Sequence, residues 1–90
     1  MKLSDEQVKA NLRQVPGWSY VEGHLKKNYQ FDDFKASLVF VNPVADLAEN
    51  ANHHPDILIQ YNKVSLSLRS HDENGITGKD FSLAEEIEKL

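Results

Sequence analysis

The sequence predicts an α+β fold: a four-stranded antiparallel sheet covered on one face by three helices, in the order α-β-β-α-β-β-α. Three observations carry this. Capping patterns open both the first and the last segment, two pairs of short strand-like runs are each joined at a turn, and a long apolar-periodic run lies between the pairs. Hairpins interleaved with helices favour an antiparallel sheet with one face on the core. A chain of 90 residues has the length of one small domain, so residues 1–90 are expected to form a single one.

Taken in order, Ser4 is the N-cap of the first helix and Gln7 stands three residues on. Val8 and Leu12 share a face of that helix, and Pro16-Gly17 ends the segment. Trp18 to Glu22 and Leu25 to Phe31 read as strands of a hairpin turning at Gly23-His24. Asp32 or Asp33 caps the next helix, which runs to about Asn52. That helix carries two apolar stripes, one of Phe34, Leu38, Val41, Ala45 and Ala48 and one of Phe40, Val44, Leu47 and Ala51. A helix apolar on two sides is buried on two sides. So small a domain cannot cover both, and one stripe is expected to meet another subunit, with Phe40 and Leu47 the positions to probe. Pro43 removes a backbone hydrogen bond and its ring meets the carbonyl of Val39, which predicts a kink or local break. The alternative is two short helices split at Asn42-Pro43.

Ile57 to Tyr61 and Lys63 to Ser70 form the second hairpin. The latter alternates Val64, Leu66 and Leu68 against Ser65, Ser67 and Arg69, and His71 joins the polar face if the strand persists that far. Asp72-Glu73-Asn74-Gly75 is a turn. Thr77 then caps a last helix with Asp80 at its third position, and Phe81, Ala84, Ile87 and Leu90 are expected to pack inward.

Composition excludes several classes. The net charge is −4 and the nearest approach to a basic cluster is Lys26-Lys27, which argues against direct nucleic-acid binding. The absence of cysteine excludes disulfides, thiolate metal sites and a cysteine nucleophile, and fits a reducing compartment. The N-terminus has no apolar signal region, and no apolar run approaches membrane-spanning length, so a cytoplasmic protein without membrane contact is expected. Phosphate loops, Ser-His-Asp patterns and aromatic platforms for RNA are missing.

The residues that invite chemistry lie in Glu49-Asn50-Ala51-Asn52-His53-His54-Pro55-Asp56. Imidazole, with an unperturbed pKa of roughly 6.5, both gives and takes protons near neutrality. Pro55 forces His54 out of the helical region while His53 stays near the last turn, so their side chains diverge. The partial negative charge of a helix C-terminus favours the protonated ring by about 0.3–1 kcal/mol. A polar C-cap is the plainer reading of this pair. His71, beside Asp72 and after the polar Ser/Arg strand face, is the third imidazole that could converge with them. Glu49 lies one turn before His53 and can fix an imidazole's tautomer; Asp80 is either a capping acid or a second such partner. A metal site is disfavoured, because adjacent histidines split by a pre-proline bend do not aim at one point as an i, i+4 pair does.

Glu49-x-x-x-His53-His54-Pro55-Asp56, Tyr61-Asn62-Lys63-Val64 and Ser70-His71-Asp72-x-x-Gly75-Ile76-Thr77-x-x-Asp80 together resemble the pterin-4a-carbinolamine dehydratase family, with Pro16-Gly17-Trp18 and Phe31-x-x-Phe34 also fitting. The resemblance implies the same fold, assembled as a homodimer or homotetramer. It implies a dehydratase that eliminates water from 4a-hydroxytetrahydropterin, the product of aromatic amino acid hydroxylases, to give quinonoid dihydropterin. The pterin is then the substrate, and neither cofactor nor metal is needed. It further implies His53, His54, His71 and Asp80 as catalytic, with Glu49, Asn52, Ser70, Asp72 and Lys79 around the substrate. His54 and His71 become the acid/base pair, His53 binds or polarises the pterin, and Glu49 and Asp80 orient imidazoles. Asn52 stands where some members have Asp, and Lys79 where some have Arg. Alternatives are a protein-interaction role, since animal members stabilise transcription-factor dimers; an accessory role beside a hydroxylase or regulatory protein; and action on a pterin of the molybdenum cofactor pathway.

Overall fold

The computed structural model describes residues 1–90. The expected order holds: α1 (Asp5–Asn11), β1 (Ser19–Val21), β2 (His24–Gln30), α2 (Phe34–Ala51), β3 (Asp56–Gln60), β4 (Lys63–Leu68) and α3 (Gly78–Glu88), with short 3-10 turns at Leu12–Gln14 and His71–Glu73. The strands form one antiparallel sheet in the order β1-β2-β4-β3. Leu25 pairs with Leu68, and Ile57 and Ile59 pair with Leu66 and Val64. The period of two therefore puts Leu25, Val64, Leu66 and Leu68 on one face. They are buried there with Val8, Val44, Ala48, Ile76, Phe81, Leu83, Ala84 and Ile87 from the other segments. The opposite face carries Lys26, Asn28, Ser65 and Ser67, where Ser65 donates to Asn28 at 2.8 Å.

Local chemistry sets the ends. Ser4 and Gln7 close their capping box, Asp33 (not Asp32) caps α2, and Thr77 with Asp80 caps α3. The first hairpin turns one residue earlier than expected: Glu22 and Gly23 take positive φ of 50° and 80°, and His24 already belongs to β2.

Three expectations are corrected. First, α2 runs as one helix from Phe34 to Ala51 with Pro43 inside it, so the chain neither breaks there nor divides into two helices. The carbonyl that Pro43 leaves without a partner belongs to Val39, which is 68% exposed, so water can take that bond. Second, the stripe holding Phe40, Val44 and Leu47 is internal: Val44 is buried, and the Phe40 ring packs at a tilt against Tyr29 and Phe31 with ring centroids 4.5 and 5.1 Å away. Of the other stripe, Phe34 and Leu38 are exposed, while Val41 packs against the core and Ala48 is buried in it. Third, Leu90 lies beyond α3 and is exposed, because the helix ends at Glu88.

The C-terminal end of α3 is tied to the sheet by Glu88. Its Oε1 accepts from Trp18 Nε1 (2.9 Å), Lys27 Nζ (2.5 Å) and Tyr29 Oη (3.3 Å). Burial pushes the Glu88 carboxyl upward, but the hydrogen bonds from Lys27 and Trp18, with the Lys27 charge, outweigh it and hold the group below its ordinary value. Burial, aided by that carboxylate, drives the Tyr29 hydroxyl well up.

Candidate active site

α2 ends by placing His53. Asn52 adopts the left-handed conformation (φ 49°, ψ 43°), its N–H donates to the Glu49 carbonyl at 3.1 Å, and the His53 N–H reaches back to the Ala48 carbonyl at 3.1 Å. These two bonds make a Schellman motif, and asparagine is one of the few side chains that tolerates its left-handed position. Asn52 thus has a conformational reason to stand where it does. Pro55, which has no N–H, then starts the path into β3. The two imidazoles diverge as expected: the His53 side chain is 12% exposed and the His54 side chain 56%.

His53 meets the N-terminus of α3. Its Nε2 lies 2.5 Å from Oδ1 of Asp80, which is wholly buried. The second carboxylate oxygen, Oδ2, accepts from Ser70 Oγ at 2.8 Å and from the Thr77 N–H at 2.9 Å. Ser70 Oγ also lies 2.8 Å from Thr77 Oγ1, which accepts from the Lys79 N–H at 3.2 Å. A buried charge is tolerable only when paired and hydrogen-bonded in this manner. Asp80 is therefore at once the cap of α3 and the partner of His53.

His54 forms a separate, exposed pair with Glu49, Nε2 to Oε2 at 2.5 Å. Glu49, read in the sequence as a partner for His53, serves the neighbouring ring instead. β4 stops at Leu68, so His71 does not extend its polar face; it heads the 3-10 turn and is exposed. That turn is closed by the antiparallel bridge of Ser70 with Gly75, which buries Ser70.

A cavity of about 610 Å³ opens between the C-terminal half of α2 and α3, with His53 and Lys79 in its wall. A smaller one of about 290 Å³ adjoins it through Gly78 and Lys79 and is lined also by Ser70, Asp72 and Thr77. The structure thus groups His53, Asp80, Ser70 and Lys79 about one helix N-terminus, with Asp72 close by. Glu49 and His54 form their own pair, and Asn52, His54 and His71 line neither cavity. Asn50, Ser82 and Glu86 line the larger cavity and were not singled out in the sequence. For Ser82 and Glu86 the signal is in the chain, since Lys79, Ser82, Leu83 and Glu86 recur at the spacing of one helix face; Asn50, on α2, has no such signal. No three His, Cys, Asp or Glu side chains stand close enough together to hold one ion. A carboxylate-oriented imidazole at a cavity wall is suited to proton transfer.

Known proteins share both sequence and fold with this chain. The family model described as Pterin 4 alpha carbinolamine dehydratase matches residues 1–90. A protein of Sulfolobus acidocaldarius, provisionally named a pterin-4-alpha-carbinolamine dehydratase, is 42% identical over 90 residues, covering 100% of this chain and 99% of its own. One of the same provisional name from Herpetosiphon aurantiacus is 46% identical over 88 residues, covering 98% and 92%. The crystal structure of a transcriptional coactivator/pterin dehydratase from Brucella melitensis superimposes with a TM-score of 0.92 at 30% identity, over 99% of this chain and 97% of that one. A pterin dehydratase-like protein described as a RuBisCO assembly factor in the alpha-carboxysome shares the fold, with a TM-score of 0.68 at 18% identity over 84% and 90%. No helix of the chain is long and apolar enough to cross a membrane.

Proposed function

The chain belongs to the pterin-4-alpha-carbinolamine dehydratase family, and from that premise we propose that it eliminates water from a 4a-hydroxytetrahydropterin to give quinonoid dihydropterin, returning the pterin of aromatic amino acid hydroxylases to use. The C4a–O bond breaks, the N5–H proton leaves, and the N5 electrons form the C4a=N5 bond. One group must protonate the departing hydroxyl and another must take the N5 proton, each contributing typically 10²–10⁴-fold. The ring nitrogen supplies the electrons, so the step needs no metal. The observation that carries this reading is the buried His53–Asp80 pair at the wall of a cavity whose volume of about 610 Å³ lies in the range of small-molecule sites. His53 binds or polarises the pterin, with Lys79 beside it. His54, held by Glu49, and His71 on its exposed turn are assigned as the acid/base pair, although neither lines the cavity. Ser70 and Asp72 border the adjoining smaller cavity, and Asn52, which lines neither, is assigned to the substrate through its place beside His53.

Stopped-flow dehydration of freshly generated 4a-hydroxytetrahydropterin tests the assignment. His54→Ala and His71→Ala should each lose at least about 100-fold with the fold intact; near-normal rates in both would sink it.

A second reading, a protein-interaction role in addition to the enzyme, is favoured by the exposed apolar side chains Phe34 and Leu38 on α2 and by the Brucella melitensis protein's description as a transcriptional coactivator. The same stripe is the surface through which a homodimer or homotetramer would form.

A further inference from the structure

Around Asp80 each hydrogen bond has one direction. Two donors converge on Oδ2, the Ser70 hydroxyl at 2.8 Å and the Thr77 N–H at 2.9 Å, which is how an ionised carboxylate, an acceptor at every lone pair, is surrounded. Ser70 has one hydroxyl proton and spends it on Oδ2. Its contact with Thr77 Oγ1 at 2.8 Å must then run the other way, with Thr77 donating. Thr77 can do so because its own oxygen is supplied by the Lys79 N–H at 3.2 Å. All three side chains are buried, and no buried polar side-chain atom lacks a partner. The chain Lys79 N–H to Thr77, Thr77 to Ser70, Ser70 to Asp80 therefore has only one sense. Its free end is Oδ1, which can only accept, and the atom facing it at 2.5 Å is His53 Nε2.

We infer that Ser70 and Thr77 are positioning residues, which through Asp80 hold His53 as its Nε2–H tautomer and leave Nδ1 as the nitrogen with which His53 works. This departs from the expectation that Ser70 touches substrate. It also explains why the cap of α3 is a threonine followed three residues on by an aspartate: Asp80 serves the helix with Oδ2 and the imidazole with Oδ1. Other cap pairs would close the helix equally well but would not aim a carboxylate oxygen at His53. The other charged groups in the wall that His53 shares are Lys79 and Glu86. For the reaction served, the inference rests on the proposed dehydration; for the tautomer it stands alone.

The test is long-range ¹H–¹⁵N correlation of the histidine rings in the full-length, substrate-free protein at neutral pH, with His53 assigned by comparison with His53→Gln. The expected result is a protonated Nε2 and a bare Nδ1 at His53. A protonated, neutral-ring Nδ1 with bare Nε2 would overturn the inference, whatever the protein's activity. The kinetic arm uses Ser70→Ala and Ser70→Thr. Cutting the chain should lower kcat about tenfold with KM nearly unchanged, the scale seen when an outer partner of an imidazole is lost, and Ser70→Thr should restore it. The bare-Nδ1 signal of Ser70→Ala should move towards the mean of the two tautomers. A rise in KM at constant kcat would return Ser70 to the role of a substrate contact and refute positioning. Should wild-type protein fail to dehydrate the pterin, the proposed function falls, while the tautomer measurement still decides this inference.

Discussion

Replacing Asp80 separates what this carboxylate does for the fold from what it does for His53. Asp80→Asn keeps an oxygen for the Thr77 N–H and the Ser70 hydroxyl, so the cap of α3 survives. It presents an amide NH₂ to His53 Nε2, which must then accept, and the ring is driven into the other tautomer. The stability cost is the difference between a charge-assisted and a neutral hydrogen bond, about 1 kcal/mol. For a domain of this size that lowers Tm by about 4–8 °C. Asp80→Ala removes the acceptor from three donors at once, in a site where Asp80 is wholly buried. Each stranded donor costs roughly 1–3 kcal/mol and the lost cap about 1 kcal/mol, and since these losses overlap the total is about 3–5 kcal/mol. A total stability of about 5–13 kcal/mol is expected for this length, so the Ala variant should fold only marginally. Dehydration should fall by about 10- to 100-fold in both variants, the scale for losing the partner that orients an imidazole, although only one is badly destabilised. Thermal unfolding by circular dichroism and stopped-flow absorbance on the same preparations give the two quantities. Wild-type turnover by Asp80→Asn would refute the orienting role, and an Asp80→Ala melting point within a few degrees of wild type would refute the energetic reasoning.

Other consequences are checked as readily. Phe40→Ala should cost about 2–3 kcal/mol in denaturant unfolding, somewhat less than a fully buried ring, because Phe40 packs on Tyr29 and Phe31 but keeps some exposure; no loss would mean that this stripe is not internal. If the proposed homo-oligomer forms through this stripe, Phe34→Lys or Leu38→Lys should shift it to smaller species by light scattering while each chain keeps its fold, because these side chains meet solvent within one chain; an unaltered mass would free the stripe from that role. Glu88, held below its ordinary 4.5 against the pull of burial, contributes stability that is present above that value and lost as pH falls through its folded value. Glu88→Gln should therefore be less stable than wild type near neutrality, with the gap in Tm closing towards pH 3; a gap that stays constant would show that the carboxylate is not stabilised by Lys27 and Trp18.

The elements and the family are legible in the chain alone. Caps at Ser4 and Thr77, the alternation from Val64 to Leu68, and Pro55 after the histidines act within a few residues, so they are legible in the chain and are found in the structure. The His53-His54-Pro55 corner with Asp80 far along the chain was legible as a set of residue types. Which carboxylate serves which imidazole was not. Glu49 is one turn from His53 yet pairs with His54, and Asp80, 27 positions away, pairs with His53. Contacts between distant segments depend on how α2 and α3 pack, and no local rule encodes that. The same reason hid the inward stripe of α2, since Phe34-Leu38 and Phe40-Leu47 are equally apolar and only the sheet's position chooses between them. It hid the tolerance of Pro43, which depends on Val39 facing water. And it hid the one-way hydrogen-bond chain to His53, because its sense follows only once the fold brings Ser70 and His53 against the Thr77-Asp80 cap.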